Sequence, residues 1–172
     1  MGRTIRGIGV LPFLTMLALA ARAAGAHAEM PAAIAAPGET PLATLHAEGA
    51  QIYECKAGDD GKQAWVFREP VATLILDGKT VGRHYAGPTW EHADGSAVTG
   101  KVVGHAAGAT ANDVAWLRLE VVGRRGNGTL ADVATVQRIN TRGGALTGAC
   151  KEAGTFRSAP YSADYVFLRE AG

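Results

Sequence analysis

From about residue 42 onward the chain alternates short apolar or two-residue-periodic runs with turn-forming dipeptides at regular intervals. Asp60-Gly61, Asp77-Gly78 and Asp94-Gly95 follow one another at a spacing of 17 residues. Asp-Gly accommodates the positive φ angles of tight hairpins, and each copy stands between strand-like segments. The flanking residues do not repeat, so the spacing reads as hairpin rhythm and not as an internal repeat. Strands are predicted at Gln51 to Cys55, Ala64 to Arg68 (ending before Pro70), Val71 to Leu76, Val81 to Ala86 and Thr89 to His92 beyond the Gly87-Pro88 break. Others are predicted at Ala97 to His105, Val114 to Val122 and Ala163 to Leu168. Leu130 to Ile139 adds another, with Val133, Thr135 and Gln137 on one side and Ala134, Val136 and Arg138 on the other. The expectation is one all-β domain of about 8–10 short antiparallel strands, folded as a β-sandwich or a closed β-barrel, with no helix.

The first 41 residues follow a different pattern. Arg3 and Arg6 precede an apolar stretch from Gly7 to Ala20, and Ala26-His27-Ala28 forms a small-x-small cleavage site. These features predict a cleavable signal peptide over residues 1–28. The apolar stretch is shorter than the ~20 residues a membrane span needs, and Pro12 interrupts it. Residues 29–41, rich in Pro and Ala, predict a flexible leader. Residues 42–172 then form the single folded domain.

Charge narrows the class of partner. The chain carries 17 basic and 16 acidic residues. Loss of Arg3, Arg6 and Arg22 with the signal leaves a slightly acidic product. Such a product has no basic field to hold a phosphate backbone and no polybasic membrane patch. It has only two cysteines, Cys55 and Cys150. In the oxidising compartment the signal implies, the periplasm or the medium, they predict one structural disulfide.

Several segments carry a family resemblance. They are Asp77-Gly78-Lys79-Thr80-Val81-Gly82-Arg83-His84-Tyr85-Ala86-Gly87-Pro88-Thr89-Trp90-Glu91 with Asp94-Gly95-Ser96, Gln51-Ile52-Tyr53 with Cys55, Trp116-Leu117, Gln137-Arg138-Ile139-Asn140-Thr141 with Gly143-Gly144, Cys150, and Tyr161-Ser162-Ala163-Asp164-Tyr165. Together, from about Pro41 to Leu168, the chain resembles an exported family catalogued as domain of unknown function 3455. The resemblance implies a bacterial or fungal exported protein and supplies no activity.

Chemistry-bearing side chains concentrate between residues 84 and 94. His84, Tyr85, Trp90, Glu91 and Asp94 are the candidate ligand-binding residues. In this reading Trp90, beside Gly87-Pro88, is the most exposed of Trp65, Trp90 and Trp116, and His84 pairs with Glu91. No catalytic residue is assigned, since there is no Gly-x-Ser-x-Gly elbow. A glycosidase-like pair could draw on Glu91, Asp94, Asp113 and Asp164. No metal and no cofactor are expected, because His46, His84, His92 and His105 include no pair at i and i+2 on one strand face. Arg138 is expected at the surface, with its stem lying over the sheet. Three functions remain: an exported, non-catalytic domain binding a small molecule, a glycan or an envelope component; a periplasmic or secreted hydrolase-type enzyme using Glu91 or His84; or a structural or stress-related envelope protein without a ligand.

Overall fold

The computed structural model describes residues 1–2 and 30–172, so the signal segment lies outside the described residues apart from its first two. Among the described residues eight strands run in chain order: β1 (Glu39–Ala57), β2 (Gln63–Leu76), β3 (Lys79–Tyr85), β4 (Thr89–His92), β5 (Ala97–Ala106), β6 (Trp116–Arg125), β7 (Thr135–Gly143) and β8 (Phe156–Glu170). Each pairs antiparallel with the next, and β8 returns to β1, which closes the sheet into an up-and-down barrel. Closure removes the free edges that an open sheet would expose. Of the two expected architectures, the barrel is the one formed.

All three Asp-Gly dipeptides lie in connections between consecutive strands. The β2–β3 connection is the tightest, two residues long, with φ of 49° at Asp77 and 73° at Gly78. Positive φ at both central positions is what lets a two-residue hairpin follow the strand twist.

The strands are longer than expected: β1 has 19 residues, β2 has 14 and β8 has 15. Pro70 does not end a strand. β2 passes through it opposite Gln51 of β1, and pairing with β3 begins only at Ala72. With a partner on one side only, a residue lacking its N–H need not break a ladder. Register shifts at Ile52/Tyr53, at two places between β5 and β6, and at Ile139/Arg142 bend the long strands around the barrel.

Period-two alternation decides what fills the interior. Leu45 and Ala47, Ala72 and Leu74, Trp90, Val98, Leu119, Val136, and Tyr161, Ala163, Tyr165 and Phe167 form one buried cluster. Leu130 and Val133, in the β6–β7 connection, join it and are fully buried, plugging one end of the barrel. Asp94 holds the plug from the β4–β5 turn. It accepts from the Ser96 and Thr129 backbone N–H groups and hydroxyls, while the Ser96 hydroxyl accepts from the Leu130 N–H. Gly128 lies against the Asp94 carboxylate, where a Cβ would collide with it.

The segment expected as a flexible leader is packed. Ala32–Ile34 forms a 3₁₀ turn, Ile34 is fully buried, and β1 begins at Glu39. On the outer wall Gln137 donates to the Ile34 carbonyl at 2.6 Å and Arg118 to that of Ala35 at 2.9 Å. Gly104 lies so close to the Ala33 carbonyl that any side chain there would displace the turn. Composition suggested disorder, yet a single Ile and three backbone carbonyls suffice when the wall offers matching partners.

Cys55 and Cys150 form the expected disulfide. It joins β1 to the long β7–β8 connection at the end of the barrel opposite the plug. Backbone bonds from Trp65 to Gly148, Cys150 to Gln63 and Gly154 to Cys55 fasten the same connection to the β1–β2 hairpin.

Candidate functional site

Alternation divides the cluster between residues 84 and 94 in two. His84 and Trp90, cross-strand partners on β3 and β4, point inward. Tyr85 and Glu91 point outward, and Asp94 is in the plugged-end turn. Trp90 is therefore not an exposed platform: it is 1% exposed and part of the core.

Glu91 does not meet His84. On the outer wall it accepts two bonds from Arg83 at 3.1 Å, one from the Tyr85 hydroxyl at 2.8 Å, and pairs with Arg125 at 2.9 Å. The Tyr85 hydroxyl foremost, then Arg83, hold its carboxyl below the usual range, which suits a fixed anion and not a general acid. Nor do the four acids assemble a hydrolytic pair. Asp94, held well below the usual carboxylate range first by the Ser96 hydroxyl, is at the plugged end. Asp113 at the other end accepts from the Gly143 and Thr110 backbones, and Asp164 on the outer wall holds His46 and Asn140.

A cavity of about 520 Å³ opens at the end opposite the plug. Its mouth is formed by Gly87 and Pro88 of the β3–β4 turn, Asp113 to Ala115 before β6, and Ala145 to Thr147 of the β7–β8 connection. The Tyr53 hydroxyl donates to the Gly144 carbonyl at 2.7 Å and so pins that connection across the opening. Deeper walls come from Gln51, His84, Trp90, Leu117, Leu119, Arg138 and Tyr165. Phe67 and Val102 line the rim and are about half exposed. The volume is that of a small-molecule site, apolar on most sides with a few polar groups.

Aromatic packing fixes the floor. His84 and Tyr165 approach to 4.9 Å between ring centroids, and Trp90 meets Tyr165 edge-on at 5.3 Å. His84 Nδ1 lies 2.9 Å from the Thr89 carbonyl, which can only accept, so Nδ1 carries the proton and Nε2 is an acceptor. Burial foremost, with help from the charge of Arg138, lowers the His84 pKa to about 3, so the ring is neutral at neutral pH. Burial likewise raises the pKa of Tyr165, and the Arg138 cation opposes it. Tyr161, whose hydroxyl is 3.3 Å from that of Tyr165, is also raised by burial.

Arg138 corrects another expectation. It shares the inward face of β7 with Val136, opposite Tyr165 of β8, and lines the cavity. Its Nε donates to the Ala115 carbonyl at 3.0 Å. Among the described residues no carboxylate comes within ion-pair distance of it. Two further donors on the wall, Gln51 Nε2 and Trp90 Nε1, are buried without a hydrogen-bond partner. Gln51 and Arg138 were absent from the expected site. The signal available for both was parity: Gln51 shares a face with Tyr53 and Cys55, Arg138 with Val136.

Among the described residues no group of three His, Cys, Asp or Glu side chains is placed to hold a metal ion. No curated protein and no solved structure matches the chain. A family model described as "Protein of unknown function (DUF3455)" matches residues 36–78 and 75–169, which spans the barrel from just before β1 to the end of β8. The chain belongs to that family, as its Asp77 to Glu91 segment and paired cysteines suggested.

Proposed function

We propose that this is an exported binding protein that takes up one small, largely apolar molecule inside its barrel. The observation that carries this reading is the cavity of about 520 Å³, open at one end and plugged by Leu130 and Val133 at the other. A barrel made only for structure fills its interior with side chains, and an eight-stranded one is just wide enough to hold a single small ligand instead. Neutral His84 and the outward position of Glu91 favour binding over hydrolysis, since no acid/base pair faces the cavity. The disulfide suits an oxidising compartment, as does a signal peptide at residues 1–28.

The test is titration of the oxidised protein with the neutral fluorescent probe N-phenyl-1-naphthylamine. Saturable one-to-one binding with a blue-shifted emission is expected, and Val102→Trp, which puts bulk at the half-exposed rim, should block it. Absence of saturable binding would remove the reading, and binding undisturbed by Val102→Trp would move it elsewhere on the surface.

A further inference from the structure

The cavity wall has an excess of donors. The guanidinium of Arg138 faces a mostly apolar space: its Nε donates to the Ala115 carbonyl and it lies beside the Tyr165 hydroxyl, but among the described residues no carboxylate balances its charge. The other charged side chains around the opening are engaged: Arg68 with Glu69 at 3.1 Å, and Asp113 with the Thr110 and Gly143 N–H groups. Gln51 and Trp90, 2% and 1% exposed, each hold a buried N–H without an acceptor. A buried donor left unpaired destabilises the fold, and a charged one more so, unless something supplies the acceptor.

We propose, resting on the binding reading above, that the natural ligand is a carboxylic acid with a flat apolar body, its carboxylate paired with Arg138. A guanidinium fork matches a planar carboxylate in geometry as well as charge. One uncompensated cation matches one negative charge, whereas a phosphate monoester would bring a second charge that nothing else on the wall balances. The carboxylate has lone pairs to spare for a neighbouring N–H donor. Partly buried Val114 and Leu117, with half-exposed Phe67 and Val102, offer the ring of such an acid apolar surface.

The experiment is displacement of N-phenyl-1-naphthylamine from the oxidised protein by three competitors that share a ring system: 2-naphthoic acid, 2-naphthamide and 2-naphthyl phosphate. The acid is expected to compete at least tenfold better than the amide and better than the phosphate, with an advantage that shrinks as salt is raised. In Arg138→Gln the acid should lose its advantage over the amide. If the probe binds but acid and amide compete equally, the carboxylate assignment fails and the cavity reading stands. If the phosphate is the best competitor, the single-charge argument fails. If the probe itself does not bind, both fail. The wild-type comparison needs no variant, so a poorly folded Arg138→Gln leaves the outcome readable.

Discussion

The imidazole of His84 lies flat on the indole of Trp90, with ring centroids 4.6 Å apart and planes 8° from parallel. This stack fills the floor of the barrel with a side chain that must stay uncharged. An unfolded chain takes up the His84 proton near pH 6.5, the folded one only near pH 3. Between those values the unfolded state binds more protons, so acid weakens the fold. The contribution is on the order of 4 kcal/mol by about pH 3.5. Urea unfolding at pH 7, 5 and 4 should show a steep loss for the wild type and a clearly shallower one for His84→Phe, which keeps a ring on Trp90. Equal slopes would mean that His84 is already charged in the native barrel.

Glu91→Gln should leave binding of the apolar probe unchanged, because its carboxylate faces Arg83, Arg125 and Tyr85 on the outer wall. Only small changes in the thermal midpoint are expected from an exposed ion-pair network, and high salt should erase them. Loss of probe binding in this variant would place Glu91 in the site after all.

Reduction of the disulfide should act on the mouth before the core. Cys55 and Cys150 are 95 residues apart, and the bridge fastens the connection that carries Ala145 to Thr147. A loop of that length corresponds to about 2–5 kcal/mol of stability. Hydrogen exchange of Gly144 to Thr155 should rise on reduction, with weaker probe binding, while the amides around Leu130 and Val133 remain protected. Uniform loss of protection would show instead that the bridge holds the whole barrel together.

A chain that begins at Glu39 should be less stable than one that begins at Met30. It loses Ile34, fully buried, and the carbonyls that satisfy Gln137 and Arg118. A cost of about 2–4 kcal/mol is expected from one buried Ile together with an orphaned Gln amide. Chemical denaturation of the two chains measures it directly, and equal midpoints would return residues 30–38 to the role of a passive leader.

Local chemistry made much of this fold readable. The Asp-Gly turns report on neighbours within a few residues and fall between strands as expected, whereas the alternation of Leu130 to Ile139 found β7 but not its start: Leu130 and Val133 belong to the connection that plugs the barrel, and the strand begins at Thr135. Strand lengths were not readable, because Pro70 interrupts a pattern only if nothing farther along the chain compensates. The site was least readable. Which face His84 or Trp90 takes depends on register with neighbouring strands and the barrel's closure, none of which leaves a local mark, whereas for Arg138 the mark was its parity with Val136. Ile34 shows the same limit: an Ala- and Pro-rich stretch looks unable to order itself until a wall with a gap at Gly104 is in place.

The seam between β1 and β8 runs from Glu39 opposite Glu170 to Glu54 opposite Phe156, so the earliest strand of the barrel is completed by the latest. During synthesis β1 can meet β2 at once, but its other edge has no partner until Phe156–Glu170 emerges. The ring therefore cannot close on a partial chain, and the interior space comes into being only as the last strand docks. A truncation that removes β8 would leave a curled sheet with two open edges prone to pairing with other chains, so the C-terminal strand is both the latch of the cavity and the safeguard against aggregation.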